Sequence, residues 1–192
     1  MNLTNATALI TGGSSGIGLA IAKALVDAGS KVAITGRDRA RVTAAAKAIN
    51  AHAIAADVSS EEDVTRTYRE FFEKFGHLDI LVNSAGFGLR APLVEMSRAR
   101  FDAVFQTNVT GTMLMSREAA RHFIERKSGN IINLGSTAAL RGAPNGTAYY
   151  ASKFAVRGMT ECWRTELRQH NVRVFLVNPS EVLTNFATNA GF

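Results

Sequence analysis

Six short apolar runs, alternating with stretches of helical spacing, limit more than anything else what this chain can become. The runs cover residues 6–11, 31–35, 53–56, 78–82, 130–134 and 172–177, and the intervening spacing predicts helices over 17–28, 39–50, 61–75, 98–126 and 149–169. Strand, helix, strand repetition is the mark of a parallel sheet, and several of the runs are apolar on both faces, as strands covered by helices on each side must be. Right-handed crossovers then wind the chain into a doubly wound α/β layer, with ligands expected beyond the carboxyl ends of the strands where the strand order reverses. Ser59 and Ser60 before Glu61, Glu62 and Asp63 give the safest helix start, because acidic residues suit the positive end of a helix dipole.

With 192 residues, 46% of them apolar and 20% charged, the chain suits one domain and excludes a disordered or fibrous one. Twenty-two Lys and Arg against sixteen Asp and Glu give 22 − 16 = +6, which favours anionic ligands. The basic residues are scattered, with no stripe to follow a duplex, so no nucleic acid partner is expected. Cys162 is the only cysteine, which excludes a disulfide framework and fits a reducing, cytoplasmic setting. Residues 1–22 carry no charged side chain but lack a basic start and are broken by a glycine turn, so they read as a buried strand rather than an export signal. No membrane span is expected.

That turn reads Thr11-Gly12-Gly13-Ser14-Ser15-Gly16-Ile17-Gly18, directly after the first strand and opening the first helix. Glycines let the backbone turn sharply and approach a ligand, and free amides at a helix start attract a pyrophosphate; the alternative is a turn that merely packs helix on strand. The second strand ends in Thr35-Gly36-Arg37-Asp38. An arginine with no acid before it favours NADP(H) over NAD(H), since a guanidinium pairs with a 2′-phosphate and a carboxylate repels it. Arg37 read as a solvated charge beside Asp38 is the competing explanation.

Tyr149 and Lys153 stand one helical turn apart on one face, a weak signal alone that gains weight from Ser136, just after the fifth strand, and from Asn108 and Asn83-Ser84-Ala85-Gly86. A tyrosine near its ordinary pKa of ~10 is a poor acid or base at neutral pH unless positive charge stabilises its phenolate. Lys153 and an oxidised nicotinamide are the expected sources, while Ser136 holds the substrate oxygen and hydride passes between nicotinamide and carbon. Elsewhere, Cys162 beside Trp163 reads as a small buried thiol, and the four histidines lack metal-ligand spacing, so no metal site is expected. Phe71, Phe72 and Phe75 read as core. Phe87, Leu89 and Leu140 follow strands on the active-site side and fit an apolar carbonyl compound or simple loop packing.

Taken together, the 11–18 turn, Asp57-Val58, Asn83-Ser84-Ala85-Gly86, Asn108-Val109-Thr110-Gly111, Ser136 and Tyr149-Tyr150-Ala151-Ser152-Lys153 resemble the short-chain dehydrogenase/reductase family over nearly the whole chain. The resemblance implies a Rossmann fold and a catalytic set of Asn108, Ser136, Tyr149 and Lys153. It also implies a cofactor set of Gly12, Ser14, Ser15, Gly16, Ile17, Gly18, Arg37, Asp57, Val58, Asn83, Ala85, Gly86, Tyr149, Lys153, Pro179 and Thr184. Within it, Asp57 and Val58 hold the adenine. Asn83, Ala85 and Gly86 border the adenosine ribose and steady the central strands, Lys153 binds the nicotinamide ribose, and Asn108 anchors a water-filled proton path. Ser84 replaces an asparagine of the family, and Pro179-Ser180 replaces its Pro-Gly. The family continues about sixty residues further, so the chain is expected to lack its C-terminal helix and last strand. Residues 1–192 then form one dinucleotide-binding and catalytic domain, with 178–192 starting a substrate loop. The expected activity is NADP-dependent oxidoreduction of a small carbonyl or secondary alcohol by a homodimer or homotetramer. A dinucleotide-binding or oligomer-forming protein with little catalysis is the alternative.

Overall fold

The computed structural model describes residues 2–184 and 186. Six strands, β1 (Thr7–Thr11), β2 (Lys31–Gly36), β3 (His52–Ala55), β4 (Ile80–Asn83), β5 (Gly129–Leu134) and β6 (Val172–Val177), form one parallel sheet in the order β3-β2-β1-β4-β5-β6. The order reverses between β1 and β4, whose pairing matches Ala8 with Ile80 and Thr11 with Asn83. The helices are α1 (Gly16–Asp27), α2 (Arg39–Ile49), α3 (Glu61–Phe75), α4 (Arg98–Phe105), α5 (Thr112–Arg126) and α6 (Thr147–Leu167).

Side chains alternate across the strands, and the two cores follow that alternation. Ala8, Ile10, Val32, Ile34, Ile80 and Val82 meet Ala22 of α1 and Val42 and Ala46 of α2 on one face. Leu9, Ala33, Leu81 and Ile131 meet Phe71 of α3 and Met115 and Phe123 of α5 on the other, with Phe72 and Phe75 packed alongside as expected. α3 starts where the sequence places it: Ser60 Oγ accepts from Asp63 N at 3.2 Å. Strand β6 forms an edge with one face open, where Phe175 and Val177 are exposed.

Two expectations need correction. The helix read over 98–126 is interrupted by a π-helical segment, Gln106–Gly111, between α4 and α5. One extra residue per turn leaves the apolar pattern readable as a single helix, so periodicity alone does not show the break. Cys162 is exposed rather than buried. The buried positions of α6 include Tyr149, Ser152, Lys153, Val156 and Thr160, and a residue two places beyond Thr160 points about 200° away from it.

Candidate active site

The expected residues follow the carboxyl ends of the six strands, with Asn108 on the π segment and Tyr149 and Lys153 on α6. At the turn after β1, Gly12 holds φ +64°, and a Cβ there would lie 2.8 Å from Ala85 Cα. Thr11 Oγ1 accepts from the main-chain N–H groups of Ser84 and Ala85 at 3.0 Å each, which pins the turn to the end of β4. A Cβ on Gly18 would lie 2.5 Å from Gly12 O, so α1 can seat against the turn only through glycine. Ser15 precedes α1 without a side-chain capping bond, so the N-cap side chain does not take up the amides of the first turn. This cradle fits a pyrophosphate, with half-buried Ser14 and Ile17 beside it. Thr184 Cγ2 comes 3.6 Å from where a Cβ on Gly16 would stand, which puts Thr184 over the same turn.

Arg37 is exposed just beyond β2. Asp38 is not its partner: the carboxylate caps α2, accepting from Arg41 N at 3.0 Å. Asp57 Oδ1 accepts from Ser59 N at 2.9 Å and Ser59 Oγ at 2.7 Å, and Val58 packs against Gly111 of the π segment. Asn83 steadies the central strands. Its buried amide donates to Ser116 Oγ at 2.9 Å and Asn133 Oδ1 at 2.8 Å, so the side chain ties β4 to β5 and α5. Gly86 lies against Asn108, whose Oδ1 accepts from Phe87 N at 3.0 Å.

The fifth strand ends beside α6. Ser136 N donates to Asn178 Oδ1 at 3.1 Å, Ser136 Oγ accepts from Ala138 N at 3.1 Å, and Thr137 N donates to Pro179 O at 3.1 Å. The Ser136 side chain also hydrogen-bonds Tyr149. Lys153 is buried below, its Nζ donating to Leu134 O at 2.7 Å and standing 5.8 Å from the Tyr149 ring centre.

Burial governs the electrostatics of the site. Burial pushes the Tyr149 phenol above its ordinary value, and the Ser136 hydrogen bond offsets only part of that rise. Burial likewise lowers Lys153 from 10.5 to about 8. A desolvated ammonium whose hydrogen bond goes to Leu134 does not by itself bring the phenol down toward neutrality.

Sequence reasoning passed over Thr11, Ser152 and Asn178 as positioning groups. The signal was available for each: Thr11 and Asn178 directly follow or end strands at the ligand side, and Ser152 shares the Tyr149 face at three residues' spacing.

Among the described residues no cluster of three or more His, Cys, Asp or Glu could hold a metal ion, and no helix is long and apolar enough to cross a membrane. Residues 6–191 match the family model for short chain dehydrogenases. A sorbitol dehydrogenase of Cereibacter sphaeroides is 40% identical over 95% of this chain and 72% of its own length. Galactitol 2-dehydrogenase of Agrobacterium fabrum is 37% identical, over 95% and 72%. Among solved structures, a 3-ketoacyl-(acyl-carrier-protein) reductase from Brucella melitensis complexed with NADH superposes with a TM-score of 0.94 at 37% identity, covering 97% of this chain and 80% of that one. An NAD+-bound xylitol dehydrogenase gives 0.90 at 32%, covering 94% and 72%.

The chain therefore belongs to the short chain dehydrogenase family. With it, the chain joins the hydride-transferring oxidoreductases that bind a nicotinamide dinucleotide and act on small molecules.

Proposed function

We propose that this protein interconverts a secondary alcohol and its ketone with NADP(H), and that Tyr149 is the acid-base residue. The carrying observation is the Tyr149 phenol, hydrogen-bonded to Ser136 with the Lys153 ammonium buried 5.8 Å from its ring, on the ligand side of the sheet. The nicotinamide supplies or accepts the hydride. In the reducing direction Ser136 fixes the carbonyl oxygen by hydrogen bonding, and Tyr149 gives that oxygen its proton; the oxidising direction reverses both. Lys153 holds the nicotinamide ribose and keeps positive charge near the phenol, while Asn108 supports the path by which Tyr149 is reprotonated.

The cradle of Gly12, Ser14, Ser15, Gly16, Ile17 and Gly18 takes the pyrophosphate, and Asp57 and Val58 take the adenine. Ala85, Gly86 and the main chain of Asn83 border the adenosine ribose, and Pro179 and Thr184 the nicotinamide end. Arg37 supports NADP(H), because it is exposed beside Gly36 and Ser14 and is not neutralised by Asp38. The polyol dehydrogenases among its relatives make polyols the first substrates to try. Residues 1–192 act as one catalytic unit, of which 1, 185 and 187–192 lie outside the described residues. We place it in the cytoplasm as a dimer or tetramer packed through α5 and α6, where Met113, Ala120, Ile124 and Trp163 line a groove.

Turnover of D-sorbitol, galactitol and xylitol with NADP+ and NAD+, together with NADPH and NADH fluorescence titrations, tests this. Tyr149→Phe is expected to lower kcat by about a hundred- to ten-thousandfold with cofactor affinity kept. Full activity in Tyr149→Phe would defeat the assignment. NADH binding as tightly as NADPH would defeat the role of Arg37. Cofactor binding with no turnover of these polyols or a panel of ketones would leave a binding protein.

A further inference from the structure

A single buried hydroxyl joins the π segment to the turn of α6 that carries Tyr149 and Lys153. Ser152 is fully buried. A hydroxyl has one proton to give, and Ser152 Oγ donates it to the main-chain oxygen of Tyr149 at 2.7 Å. Its lone pairs are then left to accept, and Asn108 Nδ2 donates to them at 3.0 Å. The same Nδ2 also donates to Phe87 O at 3.0 Å, while Asn108 Oδ1 accepts from Phe87 N and the main-chain oxygen of Asn108 accepts from Thr112 Oγ1 at 2.8 Å. Donor and acceptor directions are thus fixed along Phe87, Asn108, Ser152 and Tyr149. The line runs from the loop after β4, through the π segment, to α6.

We propose that Ser152 is a positioning residue for the reaction. It sets the separation between Asn108 and the Tyr149–Lys153 turn, and so the aim of the phenol at the substrate oxygen. This rests on Tyr149 being the acid-base residue, but it concerns a different side chain, one fully buried in the core. A residue that merely filled the core would be replaced by alanine with a loss of stability and no selective effect on the chemical step. Ser152→Ala instead leaves one Asn108 N–H without its acceptor and takes the second bond from the Tyr149 carbonyl, which keeps its helical one, so the two elements lose their shared register while the glycine cradle, formed by β1, α1 and β4, is untouched.

The test uses Ser152→Ala, Ser152→Thr, Asn108→Ala, the Ser152→Ala/Asn108→Ala double variant and Tyr149→Phe in the full chain. Turnover is measured on D-sorbitol, galactitol and xylitol. Phenolate absorbance at 295 nm, taken as the difference from Tyr149→Phe with and without NADP+, needs no turnover. Ser152→Ala is expected to lower kcat by about ten- to a hundredfold, as misplacement of a catalytic group does, with KM and NADPH affinity within about twofold. It is expected to move the Tyr149 titration by at least about half a pH unit. Ser152→Thr, which keeps the hydroxyl, restores most of kcat, and the double variant is no slower than Asn108→Ala alone, since both act through one link. An unmoved titration in Ser152→Ala overturns the proposal, as do multiplying effects in the double variant or a loss in KM and affinity equal to that in kcat. Should Tyr149→Phe stay active, the reading of the site itself fails; should it be inactive while Ser152→Ala behaves as wild type, only the role of Ser152 falls.

Discussion

Lys153 holds a charge where the fold would be more stable without one, and the size of that burden can be worked out. Its ammonium sits in the core with a hydrogen bond to Leu134 O at 2.7 Å, and burial brings its pKa from 10.5 to about 8. Between those values the unfolded chain carries a proton on this amine that the folded protein has shed. Raising the pH through the window therefore favours folding. A gap of about 2.5 pH units at about 1.4 kcal/mol each amounts to about 3 kcal/mol, of which about 2 kcal/mol is recovered between pH 7 and pH 9.5. Lys153→Met keeps the length of the side chain and removes the charge, at the cost of a charged hydrogen bond worth about 1.5–3 kcal/mol. At pH 7 the variant should therefore be as stable as wild type or more stable by about 1 kcal/mol, while losing nearly all turnover. The assay is urea unfolding of both proteins at pH 7, 8, 9 and 9.5, reading wild type minus variant so that other titrations cancel. The difference must climb by about 2 kcal/mol in favour of wild type. A flat difference would refute burial as the cause, and a variant less stable by several kcal/mol at pH 7 would show that the ammonium stabilises the fold.

Two further substitutions probe the scaffold. Gly18→Ala drives a Cβ to within 2.5 Å of Gly12 O, so NADPH affinity measured by fluorescence should fall at least about tenfold, as for any wedge between a phosphate loop and its helix; unchanged affinity would show that the cradle tolerates the shift. Tyr68→Phe removes a buried hydrogen bond of 2.5 Å to Met115 O and should cost about 1 kcal/mol in urea unfolding without altering kcat, whereas a gain in stability would contradict the pairing.

How far the sequence alone carries depends on what each residue has to reveal. The Tyr149 and Lys153 pairing is legible because four residues on a helix bring two side chains to one face, whatever packs around them. Their titration is not, since it depends on how completely β5 and the chain around Asn178 and Pro179 close over α6. Asn83 carries a motif position that points to the cleft, yet its side chain answers to Asn133 and Ser116, partners 50 and 33 residues away. The doubly wound parallel layer follows from alternating runs and crossover handedness, and Ser60 announces its helix by itself. Cys162 was misjudged because neighbouring residue types say little about helix phase, whereas the buried positions of α6 fix it.

The π segment also bears on how this chain can change over generations. Removing one residue between Gln106 and Gly111 would return the turn to ordinary winding, and because the wide turn already absorbs that residue, everything downstream on that rod would keep its face. Met115 and Phe123 would stay against the sheet, while Asn108 would lose its place opposite Phe87 and Ser152. A lineage carrying this arrangement is therefore held to its residue count there by the site that Asn108 serves rather than by the core.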